Sequence, residues 1–329
     1  SERWAARGRI YLAMSEANAS SSAQGRRYVY DSPAWPMYAM AWCPEHDTRF
    51  RLATASFLET DNNRVALVEL DEQTNAFKCV SEVEHPFPAT KLAWRPPDSS
   101  SSPLLATTSI TLNLFKLEEG KLSPLLKLAN QRAKSGSQVA PLTSLDWSTT
   151  CSHKIGATSV DTTCTIWNLQ KQKIETQLIA HDKPVYDMAF SPTDFLFSSV
   201  SADGSIRLFD QRNLEQSTIM YEGPSPLLRL AWNKLNGNLI AAVAMDTAGV
   251  VVIDIRRPSV ALSGMANQRS CVNSITWAPH SPHYLLCGTE EGLGCIWDVK
   301  DASGSVLNYE CDSEVAQVQW PSCAPNYVA

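Results

Sequence analysis

A histidine, a serine and an aspartate fall at His181, Ser199 and Asp203, the three side-chain types of a proton relay onto a nucleophile. Acyl transfer by such a set favours a serine on a strained strand-to-helix turn flanked by glycines. No G-x-S-x-G run occurs, and glycine is scarce, at 14 residues in 329. The structural reading is simpler: the imidazole bonds the carboxylate and pins the turn that carries it. His280 and His283 (HSPH) sit in a proline-containing turn with no cysteine or carboxylate cluster nearby, so metal binding is unsupported. No glycine-rich phosphate cradle is present, and no cofactor is expected. The nine cysteines (Cys43, Cys79, Cys151, Cys164, Cys271, Cys287, Cys295, Cys311, Cys323) include no Cys-x-x-Cys pair. Most lie in apolar strand-like runs and read as buried free thiols of a reducing compartment.

The elements that must position these residues form a repeat. One six-residue pattern recurs as MYAMAW, ATKLAW, LTSLDW, VYDMAF, LLRLAW, VNSITW and VAQVQW. Its closing aromatics are Trp42, Trp94, Trp147, Phe190, Trp232, Trp277 and Trp320, at intervals of 52, 53, 43, 42, 45 and 43 residues. Between them lie alternating β-branched and polar runs such as RLATASF, CTIWNL and YLLCGTE, punctuated by turn formers. Asn62-Asn63, Asp203-Gly204 and Glu291-Gly292 suit tight turns with positive φ. Four short strands per unit, repeated in the forties, predict an all-β, seven-bladed WD-repeat β-propeller with insertions in the first two blades. In such a repeat His181, Ser199 and Asp203 form a structural relay, shortened here because Phe209 replaces the usual tryptophan donor. His85 takes the place of His181 in the second unit; Gln138 and Gln268 replace it in the third and sixth.

Composition divides the chain into two parts. Residues 1–26 contain the polar run SEANASSSAQG and read as a flexible tail, with the propeller over 27–329. The seventh unit has its first strand at 315–320 and the start of another at Tyr327-Val328. With Tyr28–Tyr30 as outer strand, one inner strand is missing, so the native chain is expected to run a dozen or so residues past Ala329.

Charge and channel position bear on partners. A net charge of −6 argues against a general nucleic-acid or anionic-membrane binder, and no apolar run reaches the length of a membrane span. Three residues before each closing aromatic stand Ala39, Lys91, Ser144, Asp187, Arg229, Ser274 and Gln317; one before stand Ala41, Ala93, Asp146, Ala189, Ala231, Thr276 and Gln319. Of these, Lys91, Asp146, Asp187 and Arg229 are candidate contacts for a partner at the channel. An enzyme or small-ligand propeller would use the same charges, and a fixed structural subunit of a larger assembly is a third alternative. The link over 116–141, rich in lysine and arginine, reads as an outer strand plus loop or a docking surface.

The runs PAWPMYAMAW, NNRVALVELD, HPFPATKLAW, SVDTTCTIWNL, ETQLIAHDKPVYDMAF, SADGSIRLFDQR and CVNSITWAPHSPH resemble the Transparent Testa Glabra family over roughly residues 27–329. That family comprises WD-repeat scaffolds of plants and their animal counterpart. The resemblance implies a propeller without enzymatic activity, monomeric within hetero-complexes, in cytoplasm and nucleus. Plant members hold MYB and basic helix-loop-helix transcription factors together. The animal member binds dual-specificity tyrosine-regulated and homeodomain-interacting kinases and acts as a substrate receptor of cullin-RING ubiquitin ligases. The implied partners are therefore proteins: a kinase, transcription factors or a ligase adaptor. Asp210/Arg212 and Asp254/Arg256 resemble the adaptor-docking box of such receptors, with Phe209 and Ile253 where the box has tryptophan.

Overall fold

The computed structural model describes residues 9–14, 27–32, 35–44, 50–71, 73–97, 102–130, 139–193, 195–265, 270–301 and 304–329. Blade 4 shows why the repeat folds as it does. Its strands, a to d from the channel outward, are Val185–Phe190, Leu196–Ser201, Ser205–Asp210 and Asn213–Glu222. Phe190 lies opposite Phe197, and Phe197 opposite Phe209, so three rings line up across three strands. Phe197 and Phe209 stack at 4.9 Å and 11°, a geometry that contributes about 0.5–1.5 kcal/mol beyond area burial. The inner strands are buried on both faces, whereas strand d alternates or lies exposed. That gradient is why strands a to c read as small and apolar residues while strand d is polar.

Six such four-stranded antiparallel sheets follow one another in chain order, covering residues 37–310. The seven closing aromatics are all buried, each wedged at a blade interface. Strand a carries the same register shift in five blades, between Met37/Ala39, Leu142/Ser144, Val185/Asp187, Leu227/Arg229 and Val272/Ser274. Such a bulge re-aims the following side chains.

The b–c turns only partly follow the expectation. Gly204 and Gly292 take φ of +83° and +84°, and a Cβ on either would fall under 3 Å from a backbone oxygen. Asn62-Asn63 do not use positive φ. Asn63 is buried, and its amide accepts from Ser56 Oγ and Leu58 N and donates to Leu58 O and Thr60 O, so the side chain rather than a left-handed residue closes that turn. In blade 3 the place of Gly204 is taken by Thr162, at φ +72°. A β-branched residue there is strained by ~1–3 kcal/mol. Thr162→Gly should therefore raise stability by ~1 kcal/mol after the glycine's unfolded-state entropy is subtracted. The check is a higher urea midpoint at unchanged m; a lower midpoint would contradict it.

The closing blade corrects two expectations. Arg9–Met14, inside the stretch expected to be a tail, is a strand. It pairs antiparallel with Arg27–Asp31 on one side and with Tyr327–Val328 on the other. Residues 315–320 are not a regular strand, but Gln319 and Ala329 exchange both backbone hydrogen bonds, which seats that run against the channel. The blade order from the channel is thus 315–320, Tyr327–Val328, Arg9–Met14, Arg27–Asp31. Tyr28–Tyr30 lie in the outer strand as expected. The strand expected from beyond Ala329 comes instead from Arg9–Met14, whose Ile10 and Leu12 are buried against Met40, Trp42 and Leu52 of blade 1.

Candidate functional site

The relay residues come together in blade 4. His181 Nδ1 lies 2.9 Å from Asp203 Oδ2, and Nε2 lies 2.8 Å from Ser199 Oγ. Ser205, which sequence reasoning missed, donates its hydroxyl to Asp203 Oδ1 at 2.7 Å. The Asp-x-Ser/Thr spacing was the available signal, since Thr163 donates to Asp161 at 2.6 Å in blade 3. Burial lowers the His181 imidazole below its ordinary value, against the pull of Asp203, so the ring is neutral at pH 7. Burial works the other way on Asp203, but hydrogen bonds from Ser205 and His181 keep it below the usual carboxylate range. Phe209 packs on Phe197 and offers no donor. His85 repeats the arrangement without a carboxylate: it meets Thr107 Oγ1 at 2.9 Å, the Asn113 amide at 3.2 Å and the Phe87 carbonyl. Gln138 and Gln268 lie outside the described residues.

The channel residues obey a rule that joins neighbouring blades. Counting the closing aromatic as position 0, the −3 side chain accepts from the −2 amide of the next blade. Asp187 Oδ2 takes Leu230 N at 3.0 Å, Ser274 takes Val318 N at 3.1 Å, and Gln317 takes Met40 N at 2.7 Å. The −1 side chain accepts from the next closing aromatic: Asp146 from Phe190 N at 2.7 Å, Gln319 from Trp42 N at 3.0 Å. The −4 side chain donates to the −5 carbonyl, as Thr90 to Leu142, Thr143 to Val185 and Asn273 to Val315. Each inner strand is a free sheet edge toward the channel, and where these bonds form they satisfy its amides and carbonyls. Because Gln317 and Gln319 extend the rule from blade 7 to blade 1, the ring is closed.

Of the four charges proposed at the channel, two belong to this ring. Asp187, 2% exposed, also accepts from Lys91 Nζ at 2.7 Å, Ser144 Oγ and its neighbour Met188 N. Asp146 receives Lys234 Nζ at 3.4 Å, a contact that sequence reasoning missed. Lys91, Asp146, Asp187, Lys234 and Arg229 line a central cavity of 240 Å³.

The Asp-x-Arg pairs stand where strand c closes, at the end of the blade away from the b–c turn that carries Asp203. Arg212 forks onto Asp210 with Nε at 2.9 Å and Nη2 at 2.6 Å. Arg256 repeats this on Asp254 at 2.9 and 2.5 Å. Both arginine side chains are about two-thirds exposed. The Arg212 hydrogen bonds hold Asp210 down to about 2, and Arg256 likewise lowers Asp254. Arg212 also lies over the Phe195 ring at 5.0 Å, and Phe195 is exposed.

Comparison with known proteins agrees with this architecture. The profile of the WD domain, G-beta repeat, matches residues 172–210, which covers the last strand of blade 3 and the first three strands of blade 4. Over 311 residues the chain is 43% identical to the DDB1- and CUL4-associated factor 7 homolog of Dictyostelium discoideum, spanning 92% of this chain and 95% of that protein. The chain belongs to the DDB1- and CUL4-associated factor 7 family of WD-repeat proteins. A WD repeat-containing protein of Schizosaccharomyces pombe is 36% identical over 306 residues, 84% of this chain and 70% of that protein. One from Saccharomyces cerevisiae is 29% identical over 306 residues, 82% of this chain and 57% of that protein.

Among the described residues, two buried thiols are the reverse of activated. Burial pushes the Cys164 thiol up to about 12 and Cys295 to about 11, the opposite of an activated nucleophile. His280 packs edge-on to Trp320 at 5.2 Å. Among the described residues no group of three or more histidine, cysteine or carboxylate side chains is placed to share a metal.

Proposed function

We propose that the chain is a non-catalytic adaptor that docks a DDB1–CUL4-type ubiquitin ligase through blades 4 and 5 and presents a client protein on its remaining surface. The observation that carries this reading is the matched pair of forks at Asp210/Arg212 and Asp254/Arg256. Adjacent blades present the same rigid, charged turn at the same end, with the apolar Phe195 beside Arg212. Arginine anchors beside apolar contacts are the usual hot spots of protein interfaces. The similarity to a relative whose name associates it with DDB1 and CUL4 supports the choice of adaptor, and the resemblance to the Transparent Testa Glabra scaffolds points the same way. The clients of this reading are kinases or transcription factors, held in hetero-complexes in the cytoplasm and nucleus.

The experiment is a binding titration of the purified chain with DDB1. Arg212→Ala with Arg256→Ala should weaken binding by at least about tenfold, in the range for loss of interface arginines. The melting temperature should fall only slightly: the Arg212–Asp210 pair is exposed and stabilises little, and Asp254, although buried, keeps its hydrogen bond from the Arg256 backbone amide. Absence of binding by the unaltered chain, or full binding by the double variant, would refute adaptor docking through these turns.

A further inference from the structure

Three of the seven −3 positions carry side chains that cannot accept a hydrogen bond: Ala39, which has no polar group, and the two cations Lys91 and Arg229. Lys91 and Arg229 are donors only, so neither can serve the −2 amide of the following blade as Asp187, Ser274 and Gln317 do. Lys91 turns to Asp187 instead. Arg229 lines the central cavity, and among the described residues it has no ion-pair or hydrogen-bond partner for its guanidinium.

The strand after Arg229 repeats its neighbours' geometry. Val272–Trp277 has the same register shift as Leu227–Trp232, so the Ile275 amide points toward the channel as the Leu230 amide does. Asp187 holds the Leu230 amide; no side chain among the described residues accepts from Ile275. The corner between blades 5 and 6 thus sets an unpaired guanidinium beside an amide that faces the same cavity. Arg229 is half-buried and the Ile275 side chain is buried; neither the guanidinium nor the Ile275 amide has a protein acceptor among the described residues, so whatever fills the cavity must serve them.

The acidic side chains of the cavity do not supply that acceptor. Asp187 is engaged by Lys91, Ser144 and the amides of Met188 and Leu230. Asp146 is engaged by the Phe190 amide and Lys234. The wall therefore carries three cations, Lys91, Arg229 and Lys234, against two engaged anions, Asp146 and Asp187.

We infer that this corner receives one carboxylate side chain of an acidic peptide segment from a protein partner. Arg229 clamps the carboxylate through two N–H groups, the geometry in which guanidinium and carboxylate match best, and the Ile275 amide adds a third donor. The cavity of 240 Å³ holds several waters' worth of space, more than one small free anion fills, which suits a group arriving on a chain. Tyr38 lines the same cavity and packs at 5.0 Å on Phe57, which is 36% exposed, giving the segment an apolar rim. The site is separate from the Asp-x-Arg turns and does not depend on adaptor docking.

The test uses the full chain and an end-capped, fluorescein-labelled hexaglutamate peptide, followed by anisotropy at low ionic strength, with hexaglutamine as the uncharged probe. The chain should bind hexaglutamate and not hexaglutamine. Arg229→Gln should weaken binding about tenfold, the value of one charge-assisted clamp. Lys173→Gln removes the same charge from an exposed outer strand and should change binding by no more than about twofold. Among the described residues Arg229 has no ion-pair or hydrogen-bond partner, so Arg229→Gln should melt like the unaltered chain, which separates lost binding from lost structure. Three results overturn the inference: no binding of hexaglutamate, an equal loss in Lys173→Gln, or displacement of the peptide by inorganic phosphate at matched ionic strength. Arg229→Gln should leave DDB1 binding intact, so failure here and failure of the adaptor reading are distinguishable.

Discussion

Asp187→Ala should lower the unfolding free energy by ~4 kcal/mol and shift the urea midpoint down at unchanged m. The carboxylate is 2% exposed and joins three blades: Lys91 of blade 2, Ser144 of blade 3 and the Leu230 amide of blade 5 all converge on blade 4. Removing one partner of a fully buried ion pair costs roughly 3–5 kcal/mol, an upper bound here because Lys91, 31% exposed, can turn to water. The stranded Leu230 amide adds to that, since an orphaned buried donor costs about 1–3 kcal/mol. The terms share one site and do not sum. Lys91→Ala should cost less, because Lys91 is partly exposed and Asp187 keeps its three other donors. The double variant should be no less stable than Asp187→Ala alone, which a double-mutant cycle reads directly. A loss below ~1 kcal/mol for Asp187→Ala would mean that the inter-blade bonds are decoration rather than the closure of the inner edge.

That prediction depends on a relation absent from the linear pattern. The closing aromatics were legible because burial between blades demands a large apolar group at one place per unit, whatever its neighbours. Strands b and c were legible for the same reason, as runs such as RLATAS and TCTIWN are buried along nearly their whole length. The role of Asp187 was not. Its residue type says only that a charge stands near the channel; the shared register shift is what puts a −3 side chain beside the −2 amide of the next blade. Once that register is known, acceptor and donor types divide: Asp187, Ser274 and Gln317 close the ring, while Arg229 cannot. The Asn62-Asn63 turn failed similarly, because Asn63 meets the turn's hydrogen-bond needs with its side chain instead of its backbone angle. Thr162 is the reverse case, a left-handed position that its residue type conceals.

Deleting residues 1–26 should abolish cooperative folding, although composition marks that stretch as dispensable. The polar run at 15–25 dominates its average, yet the period-two pair Ile10 and Leu12 in RIYLAM is a strand signal. In the fold that pair is buried at the interface of blades 7 and 1, together with Tyr30, Met40, Trp42, Leu52 and Val68. Burying two aliphatic side chains of this size stabilises by roughly 3–6 kcal/mol in total, against ~5–15 kcal/mol of stability for a whole domain. The loss is not confined to them. Among the described strands Arg27–Asp31 pairs only with Arg9–Met14, so it too would leave the sheet, and Tyr327–Val328 would become an unpaired edge. Leu12→Ala in the full chain separates packing from strand pairing: it should cost ~2–5 kcal/mol while keeping a single transition. A truncated chain that unfolds at the full-length midpoint would show that the ring does not need its seventh blade. The expectation is the opposite, because a ring of blades has no end at which fraying is harmless. Arg9–Met14 and Tyr327–Val328 meet in one sheet, and removing either exposes the faces of both neighbouring blades.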